Sequence, residues 1–194
     1  YKAVGKEFGK VVPAIFTDEP NYMFWVGTNV SIRIPWTEGL VDYFKKRNGY
    51  DIKKNLISLF YNKGDYKKIR YDYWKTVTEL FVNNYSKTLY DWCSKYNIAY
   101  AGHYVFEDTL MSQIKHIGKA MAHYEYMHIP GIDHLCRNID NIITVKQVSS
   151  VAHQLDKKRV LSETYGCGGW NLTFEAQKWI GDWQYVLGVN LLNQ

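Results

Sequence analysis

The chain reads as an α/β protein, a partial (β/α)8 TIM barrel carrying about strands four to eight with their intervening helices, and three observations predict it. Short apolar runs alternate five times with stretches of helical periodicity. Two of those runs, Ile15-Phe16-Thr17-Asp18-Glu19-Pro20 and Val160-Leu161-Ser162-Glu163-Thr164-Tyr165-Gly166, pass through a small hydroxyl to a glutamate and then turn, as a buried parallel strand does when it delivers an acid to a barrel mouth. Neither G-x-G-x-x-G nor a P-loop follows any strand, which argues against a doubly wound cofactor-binding sheet. A whole barrel needs ~250 residues. The 194 residues here therefore read as one domain, 1–194, the C-terminal part of a barrel, with a helical excursion at about 37–96 and no second domain.

Tyr1 to Lys10 has an amphipathic pattern, and a first residue that is not Met reads as a chain entered inside a helix, as in a fragment. Pro13 to Thr17 is the first strand, ended by Pro20, which has no N–H for a ladder and restricts Glu19 before it. Asn21 to Trp36 is aromatic and aperiodic, a loop. Thr37 caps a helix to Arg47 that stops at Asn48-Gly49, and a short helix spans Asp51 to Phe60. Asp65 to Lys95 is the clearest helix, with Ile69, Tyr73, Val77, Leu80, Phe81, Leu89 and Trp92 at three- and four-residue spacing. Ile98 to Tyr104 is a strand, Ser112 to Tyr126 a helix, and Gly131 to His134 a short strand. A helix capped by Thr144 then runs to Gln154. Arg159 to Glu163 is the fourth strand, followed by a Gly-rich loop, a helix from Thr173 to Leu187, and a fifth strand at Val189 to Leu192.

Composition bounds the partners. The hydrophobic fraction of 46% supports a sizeable core, and 17 Tyr with 7 Trp suit stacking on sugar rings or bases. The net charge of +5 is local: Asp42 to Lys75 holds ten Lys or Arg against four Asp. On a helical pattern these lysines read as solvated faces rather than a nucleic-acid surface. Three widely spaced cysteines, Cys93, Cys136 and Cys167, form no zinc framework and imply a reduced, cytoplasmic protein. No run is long enough to span a membrane.

Carboxylates carry the chemistry. Asp18 and Glu19 are adjacent, so in an extended backbone only one of them leads into the pocket. Glu19 is the choice, with Asp18 on the loop or on a substrate hydroxyl. Glu163 stands between an apolar strand and flexible glycines, with Tyr165 beside it and Trp170 as a stacking platform. His103, Glu107, Asp133 and His134 follow the second and third strands and converge on the same mouth as groups that bind substrate. His103, Asp133 and His134 leave room for a divalent cation, but their spacing matches no ligand motif, so no metal or other cofactor is expected. A Cys167 nucleophile with His134 as base lacks the strained-elbow signature.

Thr17-Asp18-Glu19-Pro20, Tyr126 to Leu135, Lys146 to Gln154 and Arg159 to Gly166 resemble bacterial glycoside hydrolases of family 106, the α-L-rhamnosidases. The resemblance covers most of the chain. It implies a TIM-barrel catalytic domain within a larger bacterial enzyme of carbohydrate metabolism, acting on an oligosaccharide or glycoside. Carried over, Glu19 matches the acid/base glutamate after strand four and Glu163 the glutamate after strand seven, with His103 after strand five and Asp133 after strand six. Asp18 departs from the asparagine that precedes the acid in many barrel glycosidases. The alternatives are a carbohydrate-binding half-barrel without catalysis, or a homodimer joined through open barrel edges.

Overall fold

A computed structural model describes residues 1–23 and 33–194; residues 24–32 of the expected loop lie outside the described residues. Five strands form one parallel sheet in the order β1 (Ala14–Thr17), β2 (Ala99–Gly102), β3 (Ile129–His134), β4 (Leu161–Thr164) and β5 (Leu191–Asn193). The sheet curls into half a barrel. Every neighbour in it is also next in sequence, and each connection carries helix, the arrangement that right-handed crossovers impose. β1 and β5 are its two edges.

Strand alternation sorts the side chains. Ile15, Tyr100 and Ile132 turn outward, and the last two are fully buried with Tyr104, Ile117, Tyr124, Met127, Val145, Val148 and Val160 beneath the helices. Phe16, Ala101, Gly131 and Leu161 turn to the concave side. Close strand packing explains Gly102. Its φ is +142°, and a Cβ there would lie 2.2 Å from the Thr17 carbonyl oxygen, so only glycine fits between β1 and β2.

The helices bear out most of the periodic readings. α1 (Leu40–Asn48) stops at Gly49 as expected, although its N-cap is Gly39 and not Thr37. After a 3-10 turn, α2 (Leu56–Phe60) leads to α3 (Tyr66–Phe81). Leu40, Phe44, Ile52, Ile69, Tyr73 and Val77 give this excursion a core of its own. The long helix continues through a π-helical segment, Val82–Lys87, into α4 (Thr88–Lys95). That segment aims Ser86 at Tyr104 and His123, the kind of local rewinding that π-bulges provide beside functional sites. The helix read from Ser112 to Tyr126 is instead two, α5 (Leu110–His116) and α6 (Ala120–Tyr124), because Gly118 between them takes φ +85°. α7 (Ile142–Gln154) is capped by the Asn141 side chain, three residues before the expected cap Thr144. α8 (Phe174–Leu187) matches the expected helix, with the Thr173 side chain as its cap. Tyr1 to Lys10 is a correction: it contains only a 3-10 turn, Gly5–Glu7, and a bridge between Phe8 and Val12. Among the described residues no helix is long and apolar enough to cross a membrane.

Candidate functional site

The register builds the site. Asp133 of β3 lies opposite Glu163 of β4, and Glu163 lies opposite Asn193 of β5. In-register residues of parallel strands share a face, so these three stand in one row on the concave side. His103 lies just past β2, where its amide donates to the Thr17 carbonyl at 3.3 Å, and its ring turns to the same side, edge-on to Phe16.

His103 is the meeting point. Its Nε2 lies 3.0 Å from Asp18 Oδ1 and 3.9 Å from Asp133 Oδ2, and its Nδ1 lies 3.6 Å from Glu163 Oε2. A carboxylate oxygen of Glu19 lies within 4.8 Å of both His103 and Asp133. Four consecutive strands therefore bring four acids and one imidazole to a single point. The ring is 1% exposed, yet among the described residues neither of its nitrogens nor Asp133 Oδ1 makes an aligned hydrogen bond. Buried polar atoms left in that state are costly in an ordinary core and concentrate where a ligand completes them.

The expectation that only one of Asp18 and Glu19 leads to the pocket is corrected by the backbone. Glu19 has φ +46°, a left-handed conformation that a residue before proline rarely adopts. That kink undoes the extended-chain alternation, and both acids reach the cluster. Strain of this kind, of order 1–3 kcal/mol, persists where the surroundings enforce it.

Two groups of side chains have the reach to hold a divalent cation: Asp18, His103 and Glu163, or Glu19, His103 and Asp133, each with ligand atoms within 4.8 Å of one another. An imidazole with carboxylate oxygens is a suitable donor set, and the unpartnered ring nitrogens fit that use. Sequence spacing had no way to display it, because the donors come from separate strands.

Burial lifts the Asp133 carboxyl to about 6, with His103 opposing the shift and the neighbouring acids Glu163, Glu19 and Asp18 adding to it. Glu107 is lifted further, to about 8, chiefly by complete burial. The structure places Glu107 as an internal hub. Its Oε1 accepts from the Tyr124 hydroxyl at 2.6 Å and the Tyr104 amide at 3.0 Å, and its Oε2 accepts from the Asp133 amide at 3.4 Å. Gln113 and Gln147 both donate to its carbonyl. With these bonds made, Glu107 supports the loops behind the site.

The remaining candidates separate. His134 turns to the helical face, opposite to Asp133, with Nε2 2.8 Å from the Asn138 carbonyl oxygen and its ring against Trp183. The Tyr165 hydroxyl donates to the Gln177 carbonyl at 3.0 Å, which ties that phenol to α8. Trp170 is fully exposed. A cleft of about 1540 Å³ opens beside the acids, lined by Asp18, Glu19, Asp133, Tyr85, Asp108 and Asp140 among others. Glu107 and His134 also border it, whereas Glu163, Tyr165 and Trp170 are not among its described walls. Sequence reading missed Asn193. Carrying the alternation of β5 one residue past Leu192 would have found it.

No protein-family model and no curated protein matches the chain. Among solved structures it is similar to a rhamnosidase from Novosphingobium sp. PP1Y, with a TM-score of 0.74 and 21% identity, over 98% of this chain and 18% of that one. The likeness is one of fold, and the chain spans about a fifth of that protein's length.

Proposed function

We propose that this chain is the acid-bearing part of a glycoside hydrolase barrel, with Glu19 and Glu163 as its catalytic pair and an α-L-rhamnoside as the first substrate to try. The observation that carries the proposal is the convergence of Asp18, Glu19, Asp133 and Glu163 on the buried His103. Cleaving a glycosidic bond requires one carboxyl to protonate the leaving oxygen and a second either to activate water or to attack the anomeric carbon. In this reading Glu19, at the wall of the cleft, takes the first role, and Glu163, across His103, the second. Asp18 and Asp133, at the cleft wall, hold sugar hydroxyls, with the buried His103 between the acids behind them. The rhamnosidase fold supports the substrate class.

The unpartnered nitrogens of His103 favour a second use of the same residues. A divalent cation held by either carboxylate group would supply positive charge to bound hydroxyls, and it would compete with one glutamate for its acid–base role. Chelation separates the two: activity surviving EDTA leaves both glutamates free for proton transfer, and activity lost to EDTA and restored by a cation assigns the cluster to metal.

The test is hydrolysis of a panel of aryl glycosides, α-L-rhamnosides included, by the chain within its full-length protein. Glu19→Gln and Glu163→Gln should each lower kcat by about 10²- to 10⁴-fold. The product anomer, read by NMR, reports whether the carboxyls act at ~5 to 5.5 Å with retention or at ~6.5 to 9.5 Å with inversion. Wild-type rates in both variants would reject the pair. Sugar binding without turnover would leave the non-catalytic half-barrel, and a doubled mass in solution would identify pairing through the β1 and β5 edges.

A further inference from the structure

We propose that Cys136 and Cys167 are a dithiol pair that closes to a disulfide between the loops following β3 and β4, with a low-molecular-weight disulfide of the glutathione type as oxidant. Both are exposed, whereas Cys93 is buried. The Cys136 amide donates to the Gly166 carbonyl at 2.8 Å, and Gly166 is covalently joined to Cys167. Standard backbone dimensions then hold the two Cα atoms within about 6.5 Å of each other, inside the ~4.4–6.8 Å that a disulfide spans. The bond lies just past the end of the parallel ladder that pairs Asp133 with Glu163 and His134 with Thr164.

Other contacts dock the same two loops. The Arg137 Nε donates to the Gly168 carbonyl at 2.6 Å, and its terminal nitrogen donates to the Asn171 side chain. Leu135 packs so closely that a Cβ on Gly166 would lie 2.8 Å from it. Cys136 and Cys167 themselves take φ of +66° and +58°, a region uncommon for side chains other than glycine and kept here by the surrounding contacts. The two loops, each carrying one thiol, are therefore held on a preorganised frame.

Closure proceeds by exchange. One protein thiolate attacks a sulfur of the small disulfide, breaking its S–S bond and expelling one small thiolate; the second protein thiolate attacks the mixed disulfide and expels the other. Two protein thiols lose two protons and two electrons, and the small disulfide is reduced to two thiols. Cys136 borders the cleft next to Leu135 and Asn138, so closure pins one wall of it. It also encloses α7 and β4 in a covalent loop, which restricts the unfolded chain.

The 194-residue chain is equilibrated with oxidised and reduced glutathione, alkylated and digested with trypsin. Cys93, Cys136 and Cys167 fall in separate peptides, Thr88–Lys95, Ala120–Arg137 and Val160–Lys178. The expected result is a link between the last two peptides that dithiothreitol removes, with Cys93 alkylated only after denaturation, and an unfolding temperature several degrees higher in the oxidised form. In Cys136→Ser the mixed disulfide should be trapped on Cys167, with no rise in unfolding temperature. Glutathione adducts on both loop cysteines of the wild type without a link would overturn the proposal, as would a link to Cys93 of equal yield or no trapped adduct in the variant.

Discussion

Two polar clusters lie on opposite sides of the sheet and differ in one respect. Behind it, Glu107, Tyr124, Tyr104, Gln113 and Gln147 bond one another, with Ser86 and His123 joined through Tyr104. In front, His103 and Asp133 are also largely buried, and their key atoms lack aligned partners among the described residues. The Asp133 main chain joins the two, since its amide bonds Glu107 while its side chain faces His103. A saturated network holds a fold together; an unsaturated one keeps capacity for a ligand. We infer from this difference that the rear cluster serves stability and the front one the proposed chemistry.

Four substitutions probe that division. Glu107→Ala strands three buried donors, from Tyr124, Tyr104 and Asp133, and should cost about 3 kcal/mol or more by denaturant unfolding. A loss below about 1 kcal/mol would dissolve the contrast. Glu107→Gln keeps the volume and removes the titration. Because the folded carboxyl is raised to about 8, its stabilising contribution is complete below the ordinary glutamate range and is lost as pH rises through about 8. Across that window wild-type stability should thus fall by a few kcal/mol more than the variant's, which keeps only the smaller fall from Asp133, as unfolding midpoints against pH will reveal.

Asp133→Asn tests the front. Its carboxyl, raised to about 6, loses its contribution as pH rises from the ordinary aspartate range through about 6, so the variant should match wild type near pH 4 and exceed it by about 1–2 kcal/mol at pH 7. The same change should lower turnover, giving a protein more stable and less active. Trp170→Ala has the smallest expected effect. Fully exposed, it should move stability by less than about 0.5 kcal/mol. An increase in KM at constant kcat would retain it as a sugar platform, and unchanged kinetics would remove it from the site.

The elements were legible where the pattern is local. Ile69, Tyr73 and Val77 recur at helical spacing and are buried as that spacing requires. The place of His134 is also legible, since alternation puts it opposite Asp133 and away from the mouth. Glu107 was not legible: its partners Tyr124 and Asp133 lie 17 and 26 residues away, and an exposed acid would look the same in sequence. The helix break at Gly118 and the irregular Tyr1–Lys10 segment were hidden because hydrophobic periodicity does not report backbone φ.

Periodicity and proline sterics act over a few residues, so the alternation of strands and helices and the strand ends that carry Glu19 and Glu163 are written in the local sequence. That Asp18, Glu19, Asp133 and Glu163 share one imidazole emerges in the folded sheet alone. That convergence depends on the register between strands, the curl of the sheet and the left-handed turn at Glu19. These are properties of the packed sheet, in which residues distant along the chain are held by one another's backbones.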